Sequence, residues 1–191
     1  TESGERDSTH GPQLFGQPRG LATLFMTEMW ERFTYYGMRA ILILFMAGAI
    51  TEGGLGLDDK TAGAVYGLYI AATYLLAPMG GWIADRLIGQ QRSVIWGGVL
   101  IMLGNGLLAA GDTRMFFIGL IVIVLGVGLL KPNISAIVAQ LYPEGGSRRD
   151  AGFSIFYMGI NLGAFLGSIF VPIVAAEFGW SAGFALPALG M

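Results

Sequence analysis

Two carboxylates, two guanidiniums and one ammonium sit inside apolar stretches of this chain. Glu28, Glu31, Arg32 and Arg39 share one stretch, and Lys131 follows the apolar run 121–130 in another. At about 100° per residue, Glu28, Glu31, Arg32, Tyr35 and Arg39 fall within roughly a third of a helix circumference. A charge facing lipid at mid-membrane costs about 2.5–3.5 kcal/mol on insertion scales. This face is therefore expected to look inward, at partners or a wet cavity. The chemistry open to such a set is proton and anion binding. With Glu28 and Glu31 against Arg32, Arg39 and Lys131 all ionised, the balance is +1. An anionic ligand, or an acid elsewhere, can meet that excess, and a proton on either glutamate enlarges it. One electrostatic balance thus couples the two kinds of binding.

Each residue also has a plainer use. Glu31 and Arg32 can clip helices together, although a clip does not need five charges. Arg39, near a helix end, can snorkel to the interface. Lys131 can do the same, but so deep after an apolar run it calls for a carboxylate, with Glu28 or Glu31 as the natural partner. Pro132 removes a backbone donor beside it and should kink the helix, making a hinge. Tyr35, Tyr36 and Tyr74 fit pocket walls, with a hydroxyl to orient a polar ligand, or an interfacial belt. Asn161 can bind a ligand or glue two helices.

The elements that must carry these groups are membrane helices. The 191 residues are 54% hydrophobic and 13% charged, with mean hydropathy +0.63. Soluble domains hold about 25% charged residues. Residues 1–19 read as a polar cytoplasmic tail without the pattern of a signal peptide. Residues 20–191 read as one all-α, polytopic bundle. Apolar segments run at about 21–50, 61–84, 93–110, 115–141 and 151–176, and a sixth starts near Ser181. Between them lie a turn-rich loop whose residues 58–61 can cap the second helix, a polar link at 85–92, a tight turn at 111–114 and a polar loop at 142–150. Lys131-Pro132-Asn133 interrupts the fourth segment. Gly159, Gly163 and Gly167, spaced by four, suit close helix contact. Arg6, Arg19, Arg86, Arg92, Arg148 and Arg149 lie in the tail and even-numbered links, against Lys60 and Arg114 in the odd ones. That asymmetry puts the N-terminus in the cytoplasm.

Several functions are excluded. There is no cysteine, and the single histidine, His10, lies in the tail. No Ser-His pair, paired aspartates or metal-ligand set occurs within the apolar segments, so neither an enzyme nor a metal or other cofactor is expected. A net charge of −2 gives no reason to expect nucleic-acid binding.

The stretch 80–92, with Asp85-Arg86 after a glycine pair, resembles the loop between the second and third helices of the major facilitator superfamily. Gln90 and Gln91 stand where basic residues are common. By resemblance, Asp85 and Arg86 form a conformational charge latch. The stretch Glu28–Gly37 resembles, over all ten positions, the E-x-x-E-R-F-x-Y-Y-G signature of the proton-dependent oligopeptide transporters. Tyr74, Lys131-Pro132-Asn133 and the run 153–163 agree with it. The resemblance implies proton coupling by Glu28, Glu31 and Arg32, with Lys131 as ion-pair partner. It implies that Arg32 and Lys131 hold a peptide carboxylate, and that Arg39, Tyr35, Tyr36, Tyr74 and Asn161 line the cavity. It further implies symport of di- and tripeptides with protons by alternating access in the plasma or inner membrane. The alternative is a same-fold symporter for nitrate or another small anion. Family members have two six-helix bundles. The expectation here is an N-terminal bundle that works against a C-terminal bundle outside this chain.

Overall fold

A computed structural model describes residues 13–14, 16–143 and 145–191. The tail readings on 1–12, Arg6 and His10 among them, lie outside the described residues. A short antiparallel pair, β1 (Gln13–Leu14) and β2 (Gln17–Pro18), precedes six helices. These are α1 (Arg19–Ala47), α2 (Asp59–Ile83), α3 (Gln90–Ala109), α4 (Thr113–Gln140), α5 (Gly146–Phe178) and α6 (Trp180–Ala188). Lipid offers no hydrogen bonds to the backbone, so apolar segments satisfy themselves as unbroken helices. The stretches 59–88, 90–109, 113–140 and 146–178 are long and apolar enough to cross a membrane. At 1.5 Å per residue α1 is about 44 Å long, enough to span and protrude.

Local chemistry sets the ends. The Thr61 N–H donates to Asp58 Oδ1 at 3.0 Å, and Arg114 N–H donates to Asp112 Oδ1 at 2.8 Å. Gly179, with φ 87°, makes the break between α5 and α6 that a side chain would strain.

Packing puts the charged face inside. α1 lies along α5, where Gly159, Gly163 and Gly167 meet Phe25, Met29 and Phe33. α3 lies along α4 through facing glycines such as Gly97 and Gly126. α2 packs on α4, and α6 closes against α3, α5 and α1. The Pro187 carbonyl of α6 accepts from both Trp30 Nε1 and Thr34 Oγ1, each at 3.2 Å. At one end Phe45, Phe116 and Phe184 form an aromatic cluster, and Trp180 Nε1 donates to the Glu52 carbonyl at 3.2 Å. At the other, the Tyr142 hydroxyl donates to Gln17 Oε1 at 2.8 Å and ties the segment before α1 to the α4–α5 turn.

Three expectations differ from this structure. The link at 85–92 is mostly helical: a wide π-type turn, Ala84–Ile88, runs straight on from α2, and α3 starts already at Gln90 after Gly89. The polar loop at 142–150 is shorter, since α5 begins at Gly146. Lys131-Pro132-Asn133 does not interrupt α4, which runs through it. Pro132 deprives the Gly128 carbonyl of its donor, and Gly80 on α2, having no side chain, leaves room for that carbonyl. Asn133 then bonds back to the Leu129 carbonyl at 2.6 Å and reaches the Gly80 carbonyl at 3.4 Å.

Candidate functional site

The expected face of α1 does look inward. Glu28, Glu31 and Arg32 are 4%, 1% and 6% exposed. Arg32 Nε pairs with Glu28 Oε1 at 2.9 Å, one turn back, and with Glu31 Oε2. The pairing is ionic contact more than straight hydrogen bonding: Glu28 Oε2, Glu31 Oε1 and Arg32 Nη2 are buried without hydrogen-bond partners among the described residues.

Tyr35 is the centre of the arrangement. Its buried ring has the Arg32 guanidinium at 5.4 Å, Arg39 at 5.3 Å and the Lys131 ammonium at 5.9 Å from its centroid. Lys131 stands closer to Tyr74, at 4.6 Å. Rings attract cations through their negative faces. Tyr36 meets Tyr35 edge-on at 5.3 Å and lies 5.9 Å from Arg39. Arg39 Nε donates to the Tyr66 hydroxyl at 2.8 Å. The structure therefore gathers Glu28, Glu31, Arg32, Tyr35, Tyr36, Arg39, Tyr74 and Lys131 from α1, α2 and α4.

Other expectations come out differently. Among the described residues Lys131 makes no direct ion pair with Glu28 or Glu31; both carboxylates feel its charge at longer range. Arg32 already occupies them, and two tyrosine faces hold the ammonium instead. Asn161 is exposed on α5, and no hydrogen bond or ring contact among the described residues joins it to the cluster. Asp85 and Arg86 are exposed, in the turn between α2 and α3. Asp85 Oδ1 accepts from Gln90 Nε2 at 3.4 Å, and Gln90 Oε1 accepts from Gln140 Nε2 at 2.8 Å. Amides thus join the α2–α3 turn to the end of α4, where an Asp-Arg latch was expected.

Sequence reasoning missed Tyr66 and Tyr69. With Thr73 they make a polar stripe on α2 at spacings of three and four, a signal that was readable.

Six packed helices around a buried Glu-Glu-Arg set, four of them long and apolar enough to cross a membrane, define a polytopic membrane protein with the N-terminal bundle of the major facilitator fold. The family model described as POT family matches residues 91–191, and the chain belongs to that family. It is 48% identical to a di-/tripeptide transporter of Lactococcus lactis subsp. cremoris, over 93% of this chain and 36% of the relative. It is 47% identical to the peptide transporter YePEPT of Yersinia enterocolitica subsp. palearctica serotype O:3 (strain YE-P4), over 95% of this chain and 36% of the relative. It superposes with TM-score 0.90 and 52% identity on a mutant of the peptide transporter POT crystallised with alafosfalin, covering 94% of this chain and 37% of that one. The chain thus spans little more than a third of the length of these relatives.

Proposed function

We propose that this chain forms the N-terminal half of a symporter that carries di- and tripeptides with protons across a cell membrane, its N-terminus in the cytoplasm. The observation that carries the reading is the unequal state of the cations. Arg32 is held between two buried carboxylates, while Lys131 is held by aromatic faces and is half-buried. A proton on Glu28 or Glu31 weakens the hold on Arg32. The freed guanidinium can then join Lys131 on the carboxylate of a peptide, as a bidentate clamp beside a point charge. Termini and backbone are common to all peptides, so a charge clamp with tyrosine walls accepts many side chains. The acids that meet the peptide amine, and the surplus positive charge here, belong to a second bundle. The two bundles rock about the site between them. The relatives named above are peptide transporters, and nothing in the site favours a small anion over a peptide carboxylate.

The test uses the full-length protein in liposomes with an imposed proton gradient. Labelled dipeptide should accumulate, and excess unlabelled tripeptide should suppress this where nitrate does not. Lys131→Ala and Glu31→Gln should each abolish gradient-driven accumulation in protein that still folds. Accumulation without a gradient refutes the coupling, and normal accumulation by both variants refutes the site.

A further inference from the structure

Of the three tyrosines on α2, Tyr74 is exposed, Tyr66 is half-buried and Tyr69 is buried. Tyr69 lines two spaces. One is an apolar groove between α2 and α4, flanked by Leu68, Leu76, Phe117 and Ile121. The other is a narrow void lined by Glu31, Tyr35 and Tyr69 together with Ile101, Ile123 and Val127. That void has no room for a water molecule. Besides Glu31 Oε2, which is ion-paired with Arg32, three atoms of its lining residues are buried with no hydrogen-bond partner among the described residues: Glu31 Oε1, an acceptor, and the hydroxyls of Tyr35 and Tyr69, donors. The Thr34 hydroxyl, also on this wall, is already bonded to the Pro187 carbonyl. The three aliphatic side chains offer nothing. Buried polar groups in native proteins find partners, and here a carboxylate oxygen lacks a donor that a phenol can supply. Tyr35 rides on the same helix as Glu31, whereas Tyr69 stands on α2 and can approach it.

We propose that Tyr69 is the positioning residue of Glu31, its phenol being the donor that holds the free carboxylate oxygen when α2 closes on α1. The inference rests on the proposed function, in which Arg32 leaves Glu31 for a ligand. The groups that face Glu31 are Glu28, Arg32 and Tyr35 from α1, Tyr69 from α2 and Lys131 from α4; α3 presents only Ile101 there. Arg39 and Tyr66 complete the surroundings of Tyr69. α2 packs mainly on α4 and only lightly on α1, so a small inward shift of α2 can close the void. Once Arg32 departs, a dry space leaves Glu31 two remedies, a proton or a phenol, and of the two phenols Tyr69 is the one brought by a moving helix. A hydroxyl can donate to the ionised oxygen or accept from the protonated acid, and the bond to the charged form is the stronger. Tyr69 therefore sets the pH at which Glu31 loads its proton.

Tyr69→Phe removes the hydroxyl and keeps the ring. In the full-length protein in liposomes, infrared difference spectra across pH, with and without saturating dipeptide, report the Glu31 carboxyl band, assigned by its loss in Glu31→Gln. In Tyr69→Phe that band should change frequency, and its titration midpoint should rise by about one pH unit, the size expected for one lost bond to a charged group. The pH midpoint of gradient-driven dipeptide uptake should rise with it, while the apparent KM for dipeptide stays unchanged. In a Glu31→Gln background, read by counterflow, Tyr69→Phe should add no pH effect. An unchanged band and pH midpoint in Tyr69→Phe protein that melts like wild type overturns the proposal, and so does an equal pH shift in the Glu31→Gln background. Wild-type protein without peptide uptake counts against the proposed function, whereas the band test does not depend on transport.

Discussion

An alanine at position 163 would put a methyl group into the seam between α5 and α1. Its carbon would stand 3.0 Å from Arg32 Cβ and nearer still to the Met29 carbonyl. Ordinary carbon–carbon contact is about 3.5–4.0 Å, so the helices must part locally by about 0.5–1 Å. The obstacle on the Met29 side is backbone, which cannot swing aside as the end of a long side chain can. Overpacking of this kind costs about 1–3 kcal/mol. The same displacement moves Glu28, Glu31 and Arg32 relative to Lys131 and Tyr74, which ride on other helices. Reacting groups misplaced by about 1 Å lose about a hundredfold in rate, so half that shift is expected to lower dipeptide uptake about tenfold. Gly106→Ala on α3 is the control. It lies inside a helix, and its new methyl would meet nothing within 4 Å. Alanine is better than glycine in a helix by up to about 1 kcal/mol, so this variant should melt at or above the wild-type temperature. Thermal melting in detergent and gradient-driven uptake in liposomes read the two effects. Gly163→Ala protein that melts at or above wild type would refute the close-contact reasoning, and normal uptake would refute its link to the site.

Two other perturbations test the closure of the bundle and its caps. Trp30→Phe and Thr34→Val each remove one donor from the Pro187 carbonyl and should each cost about 0.5–1.5 kcal/mol. The double variant should cost more than the sum, because it alone leaves that carbonyl orphaned; additive denaturant midpoints would refute a shared acceptor. Asp58 is held below the usual carboxylate range by hydrogen bonds from the Thr61 side chain and backbone N–H. Its stabilising effect is therefore present above the unfolded value, about 4, and fades as pH falls through the lower folded one. Asp58→Ala should melt below wild type at neutral pH, with the gap narrowing at pH about 3. A gap that persists unchanged in acid would show that Asp58 does not act as an ionised cap.

What was legible in the sequence follows from what lipid forbids. Unsatisfied backbone cannot face hydrocarbon, so hydropathy alone located the helices. A charged helix cannot turn its charges to lipid, so angular arithmetic on α1 placed Glu28, Glu31 and Arg32 inside. The errors arose where lipid stops dictating. Residues 146–150 and 85–92 read as links because they are polar, yet polarity marks the end of a span, not the end of a helix. Both stretches are helical apart from the break at Gly89. Lys131 was assigned a carboxylate by counting charges, because nothing linear shows that Arg32 occupies both acids. The aromatic alternative needed Tyr74 and Lys131 on adjacent helices at matching depth, a fact of the α2–α4 crossing. Tyr66 and Tyr69 were passed over because tyrosine in a membrane helix is as much at home at an interface as in a core.

The count of charges becomes more informative once it is divided by position. Glu28, Glu31 and Arg32 together carry −1 and are buried; Arg39 and Lys131 carry +2 and are half-buried among tyrosines. The surplus of +1 is thus a buried net negative charge beside a half-buried positive pair, with Tyr35 near all three cations. Arg32 is the charge in contact with both groups, paired with the acids and 5.4 Å from the Tyr35 centroid. Neutralising one acid leaves the field of all three cations less opposed. Under the proposed function, coupling between the two ligands needs no large movement within this half, because Arg32 has only to change partners.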